Sequence, residues 1–416
     1  MSEKSHMVEA ATTRTLWAER QVEEVLSLPL ISEFVFRSPK HNDPTEKEVI
    51  DHLIVHKGEG ILISQKAQED PTSRSVEKNE LWVLKNIQDA LKPICGSIKR
   101  PDDRPKWCDH PRRGRVEFST LPRIIHGVVL VETWHPVDLK QIADELPLEY
   151  LGVPLTYMSI NDFLNIVWQL RTLPEVLEYL NARRKLPMAC LRMVGDELPF
   201  YELYIMNGGI ADSLKSCLGH ADARRATETH DDLLREALER SEEYKLYSSE
   251  IERVAHALST RDPNYADGLP PEAVALFDKE GERKNYLILQ EILTDMRLTE
   301  RAMMGRKFHD VAESMRGKTS GFTFAAAHAD GKDWVFVFIS CRGVDKPTRH
   351  GRAKRLAGGA LAHYRKKNCL VVIDRDGEHY DLMLTNPEYE PDAADIAAGE
   401  ELFGHLRMKT VDISRL

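Results

Sequence analysis

Residues 46–69, EKEVIDHLIVHKGEGILISQKAQE, set one carboxylate, Asp51, and one amine, Lys66, inside otherwise apolar runs. An isolated charge is expensive to bury and is rarely kept in an apolar strand unless it is paired or binds something. The stretch predicts two strands around a short turn holding Lys57, Gly58, Glu59 and Gly60. Centring that turn between Gly58 and Glu59 sets Asp51 opposite Lys66 and Leu53 opposite Ser64. Opposed Cβ atoms lie roughly 4.5–5.5 Å apart, so carboxylate and amine would share one face. Two readings follow: a plain cross-strand ion pair, or an acid and a lysine set for chemistry.

The elements that must position this pair are legible around it. TLWAERQVEEVLSL (15–28) has Leu16, Val22, Val25 and Leu26 at helical spacing, and Pro29 follows. ISEFVFRS (31–38) predicts a first strand and the hairpin supplies the second and third. Residues 76–98 carry Leu81, Leu84, Ile87 and Leu91 on one helical face, with Pro93 expected to end or bend that helix. A basic, Pro-bearing loop is expected over 99–115, and RIIHGVVLVET (123–133) is apolar enough for a strand covered on both faces.

This order, αβββαβ, with an acid in the second strand and a lysine late in the third, resembles the core of the PD-(D/E)xK restriction-endonuclease-like nucleases. KEVIDHLIVHKGEGILISQKAQ looks like versions found in bacterial proteins of DNA restriction and phage defence. The resemblance covers about residues 15–135. It implies an α/β fold, a Mg²⁺ or Mn²⁺ cofactor, DNA or alternatively RNA as substrate, and a homo-oligomer. Asp51 is then the metal-binding acid and Lys66 the catalytic lysine. Two positions before the lysine the family has Glu, Asp or sometimes Gln, whereas this chain has Ser64. Gln65 points to the other face of a regular strand and serves only if the strand is bulged. Glu48 is the companion candidate for catalysis and for metal, and Glu23 and Glu80 are further sources of the missing oxygen. The chemistry suits these residue types, because phosphodiester hydrolysis uses a hard cation on oxygen ligands and a cationic group beside the attacking water.

A chain of 416 residues with 42% hydrophobic and 30% charged residues is expected to form two or three soluble domains. The expected division is a leader at 1–14, a nuclease-like domain at 15–135, a mostly helical domain at 136–320 and a C-terminal α+β domain at 321–416. Neither a membrane-spanning run nor an apolar signal region is found, so a cytoplasmic protein is expected. The six cysteines form no CxxC pair, which disfavours a disulfide framework, and Cys108 with His110 makes half a metal site at most.

A net charge of -10 argues against coating nucleic acid by bulk electrostatics, yet two segments are locally basic. Residues 99–115 hold seven Lys or Arg against three Asp, and 342–367 hold nine against Asp345 alone. Arg112, Arg113 and Arg115 in the first, and Arg352, Lys354 and Arg355 in the second, are the nucleic-acid contacts expected. The helical region, with predicted helices over 158–184, 231–258 and 285–315, is read as a scaffold, a dimerisation element or the surface for a partner protein of a defence system. His220, His230 and Asp231 within it have the residue types of a metal phosphohydrolase, with surface positions as the plain explanation. In the last 95 residues Gly358 and Gly359 weaken a basic helix over 349–367, and an acid-plus-lysine pair is not evident. P-loop, GxGxxG, HExxH and GxSxG motifs do not occur, which disfavours ATPase, dinucleotide-enzyme, zincin and α/β-hydrolase readings.

Overall fold

The computed structural model describes residues 16–41, 47–68, 75–110, 113–133, 146–184, 227–261, 290–329, 331–376, 380–385 and 388–404, with 197, 200, 201 and 204 besides. The chain divides into two units, Met1–Leu238 with Asn264–Val274, and Glu239–Pro263 with Ala275–Leu416. Both are mixed α/β.

In the first unit, helix α1 (16–26) buries Ala18, Val22, Val25 and Leu26, a stripe at i, i+4, i+7 and i+8. Strands β1 (Val35–Arg37), β2 (His52–His56) and β3 (Glu59–Ala67) form an antiparallel meander. Helix α2 (Val76–Lys99), capped by the Ser75 hydroxyl, then crosses to β6 (Arg123–Glu132), which pairs parallel with β3. The expected order of helix, three strands, helix and strand is therefore the order observed. One insertion departs from it: the region expected as a loop folds β4 (Trp107–His110) against β5 (Gly114–Glu117) as a separate hairpin. Pro93 does not end α2, because Ile87, Leu91 and Ile94 hold the helix on the sheet across it.

The sheet continues past residue 135. β8 (Val153–Ser159) pairs parallel with β6, and β7 (Glu149–Tyr150) pairs with β8, giving the order β1-β2-β3-β6-β8-β7. Alternation along the strands builds two cores. Ile54, Ile61, Ile63, Val128 and Leu130 face α1 and two short helices, α3 (Ile160–Leu170) and α4 (Leu173–Arg183). Leu53, Leu62, Val129 and Val131 face α2.

The second unit contains most of α5 (Thr227–Arg261) and begins its compact part before residue 321, since α6 (Leu298–Ser314) packs on β9 (Gly321–His328) and β10 (Trp334–Arg342). The single helix expected over 285–315 is interrupted. Helical residues 290–294 stop at Asp295–Arg297, and the Glu300 carboxylate accepts from the Arg297 amide at 2.8 Å to open α6. β10 pairs antiparallel with β9 and parallel with β11 (Asn368–Asp374), the crossover being α7 (Lys346–Tyr364), and β12 (Tyr380–Leu384) closes the sheet. Gly358 and Gly359 lie inside α7 without breaking it. They let the closing helix α8 (Ala393–Phe403) approach so closely that a Cβ on Gly399 would sit 2.8 Å from the Gly359 carbonyl oxygen.

Candidate active site

The β2–β3 turn decides which side chains meet. Lys57 and Gly58 both take positive φ, +50° and +75°, which is the two-residue type I′ turn that matches strand twist. His52 therefore pairs with Ile63 and Leu53 with Leu62, not with Ser64. Asp51 in consequence sits beside Ser64 rather than opposite Lys66. The shift is two positions, so the facing of every residue is kept while the partners change.

Asp51 is held by two donors. The Ser64 hydroxyl donates to its Oδ2 at 2.9 Å and the Gln65 amide donates to the same oxygen at 2.6 Å. Its carbonyl accepts from the Ser38 amide at 2.8 Å, which fixes the backbone at the mouth of β2. The expected cross-strand ion pair is thus replaced by hydrogen bonds to an uncharged neighbour. Gln65 contributes main chain, not side chain: its Oε1 is buried without a hydrogen-bond partner. Ser64 is buried at 1% exposure, and Lys66 is half-buried on the same sheet face. No hydrogen bond or ion pair joins Lys66 to any described residue.

Further carboxylates gather around Asp51. Glu48 lies on an isolated bridge to Lys40, and its pKa is raised by burial first and by the Asp51 charge second, with the Ser38 hydrogen bond and Lys66 opposing. The pKa of Glu19 on α1 is raised by burial, then by Asp51 and Glu23. Sequence reasoning passes over Glu19; its i, i+4 spacing to Glu23 on one side of α1 is the signal that could have found it. Glu23 itself is taken up by Arg37 at 3.0 Å. Behind Asp51, His52 is 4% exposed with both ring nitrogens unpartnered, and burial lowers its pKa to about 4. Among the described residues, no group of three or more His, Cys, Asp or Glu converges well enough to hold a metal.

The other residues expected to act lie elsewhere. Arg112 and His220 fall outside the described residues, as do the side chains of His230 and Asp231. Arg113 donates to the Glu33 carbonyl at 3.0 Å, and Arg115 lies over the Trp107 ring at 3.7 Å, so this pair braces the β4–β5 hairpin. Cys108 is buried, and His110 is hydrogen-bonded to the Ser32 carbonyl at 2.8 Å, so both act in packing. On α7, Arg355 pairs with Glu401 at 2.6 Å and Arg352 lies over Phe322 at 4.9 Å, while Lys354 is exposed. At the ends of β10 and β11, Asp374 accepts from the Ser340 hydroxyl and from Arg342, and Asp381 pairs with Arg349 at 2.8 Å. These are closed ion pairs that tie α7 to its sheet.

No helix among the described residues is long and apolar enough to cross a membrane. No family model matches the chain, and neither curated proteins nor solved structures give a significant match.

Proposed function

We propose that this chain is a metal-dependent phosphodiester hydrolase acting on DNA, with the PD-(D/E)xK arrangement resembled by its αβββαβ order. The observation that carries this reading is the pairing at one sheet end of Asp51, fixed by Ser64 and Gln65, with Lys66, a half-buried lysine that no described residue engages. A lysine held in this state without a counter-ion is suited to an anionic ligand. The residues fit Mg²⁺ or Mn²⁺, which bind through one or two carboxylates and leave their remaining positions to water and substrate phosphate. When bound, such a cation polarises the phosphate and stabilises the leaving oxygen.

The protein's own share of the work then divides simply. Asp51 is pre-oriented by its two donors, so no rotamer has to be fixed on binding. Lys66 presents three donors to the attacking water and to the charge that builds on the phosphoryl oxygens. Glu48, with its raised pKa, is a proton acceptor of moderate strength next to Asp51. The wider expectation is an effector of anti-phage defence whose helical region engages a partner protein.

Cleavage of supercoiled plasmid with Mg²⁺ tests the reading. Lys66→Ala, folded as judged by circular dichroism, is expected to lose about 100-fold or more in rate. Undiminished cleavage by that variant would sink the assignment. One observation favours a second reading, a nuclease-fold subunit that binds nucleic acid or scaffolds a complex without cutting. Ser64 stands where the resembled family has an acid, and its hydroxyl is spent on Asp51. DNA binding by wild type and by Lys66→Ala with no cleavage by either would select it.

A further inference from the structure

Ser64 leaves the site one acid short, and α2 carries a carboxylate whose own bonding is incomplete. We propose that Glu80 is the second metal-binding acid, so that Asp51 and Glu80 hold one divalent cation on the α2 face of the sheet beside Lys66. This rests on the hydrolase reading above and names the residue that completes it.

The helix geometry places Glu80 on the inward side. Val83, Ile87, Ala90 and Ile94 of α2 are buried against Leu53, Leu62, Val129 and Val131. Residues 79 and 80 precede Val83 by about one turn and continue the same ridge toward the start of the helix. Asn79 bears this out: it is 6% exposed, and its Oδ1 accepts from Gln68 Nε2 at 3.2 Å. Gln68 follows Lys66 by two residues, hence on the same face, so the first turns of α2 cover the end of β3 where Ser64 and Lys66 lie.

Charge accounting points the same way. Glu80 is half-buried, and its Oε1 is fully buried with no hydrogen-bond partner. A buried acceptor left unmade costs about 1–3 kcal/mol, more when charged. The obvious relief is an ion pair with Lys66, and the chain does not make it. The other acids near Asp51 are committed or turned away: Glu23 to Arg37, Glu48 to Ser38 and Asp51, and Glu19 to the exposed side of α1. Glu80 and Lys66 are left as opposite charges on one face, each without a partner, which is the arrangement a shared cation and phosphate would satisfy.

Calorimetric titration of the full chain with Mn²⁺ tests this without reference to turnover. Asp51→Asn and Glu80→Gln are each expected to weaken Mn²⁺ about tenfold or more, while Glu77→Gln, on the exposed side of the same first turn, stays at the wild-type affinity. Circular dichroism and thermal melts confirm that each variant is folded. Wild-type affinity in Glu80→Gln alongside loss in Asp51→Asn overturns the Glu80 assignment and leaves the hydrolase reading standing. A wild-type chain that binds no Mn²⁺ overturns both.

Discussion

The Ser64 hydroxyl donates to Asp51 Oδ2 across the β2–β3 ladder at 2.9 Å, and this one bond sets the orientation of the acid on which the site depends. Ser64 is itself 1% exposed, so water cannot replace it. Ser64→Ala removes a hydrogen bond to a charged group, and the expected loss of stability is about 1.5–3 kcal/mol by urea denaturation at pH 7. The loss should shrink in an Asp51→Asn background, because the partner has lost its charge. Equal losses in both backgrounds would show that the bond does not depend on the carboxylate.

Acid sensitivity is built into the same sheet. Burial, with Arg37 assisting and Asp51 opposing, lowers His52 from 6.5 to about 4; burial, with Arg183 and Arg184 assisting, lowers His126 to about 3. Above pH 6.5 both imidazoles are neutral folded or unfolded, and they contribute no pH dependence. Below it the unfolded chain takes up protons that the folded chain refuses, so stability falls until the folded pKa is reached and is then level. For His52 the shift corresponds to about 3 kcal/mol lost between pH 6.5 and 4. Denaturation midpoints across that range check the slope, and His52→Leu should make it shallower. An unchanged slope in that variant would remove His52 from the explanation.

The α7–α8 crossing offers a test by contrast. Gly351 lies on the open side of α7, where an added Cβ would meet nothing within 4 Å, whereas a Cβ on Gly399 would lie 2.8 Å from the Gly359 carbonyl. Gly351→Ala should therefore raise stability by about 0.4–1 kcal/mol through the unfolded chain. Gly399→Ala should lower it by about 1–3 kcal/mol, since backbone has to move. Thermal melts of the two variants should move in opposite directions, and shifts of the same sign would contradict the close crossing.

Periodicity makes much of the first unit legible in the sequence. Val22, Val25 and Leu26 mark α1, and the unbroken apolar run from Ile124 to Val131 marks the covered strand β6. The partner of Asp51 is less accessible, because it hangs on whether Lys57 accepts a left-handed backbone. Lys57 does so at φ +50°, a choice that composition alone does not reveal. Helix α2 running through Pro93 and α7 through Gly358 and Gly359 reflect a similar limit, since tertiary packing outweighs local propensity. Glu80 is visible in the sequence as a candidate oxygen; that its Oε1 lacks a partner is a property of the packed helix and sheet.

The six-stranded sheet of the first unit keeps its long strands inside and its shortest ones outside. β1 and β7, at the two borders, have three and two residues, against nine and ten for β3 and β6 within. A border that short offers few unpaired amides and carbonyls for another strand to use, which protects the unit against growing into a continuous sheet with its neighbours. A second copy of this chain would gain little by adding to either border, so an assembly able to cut both strands of a duplex would have to be joined through helices or loops.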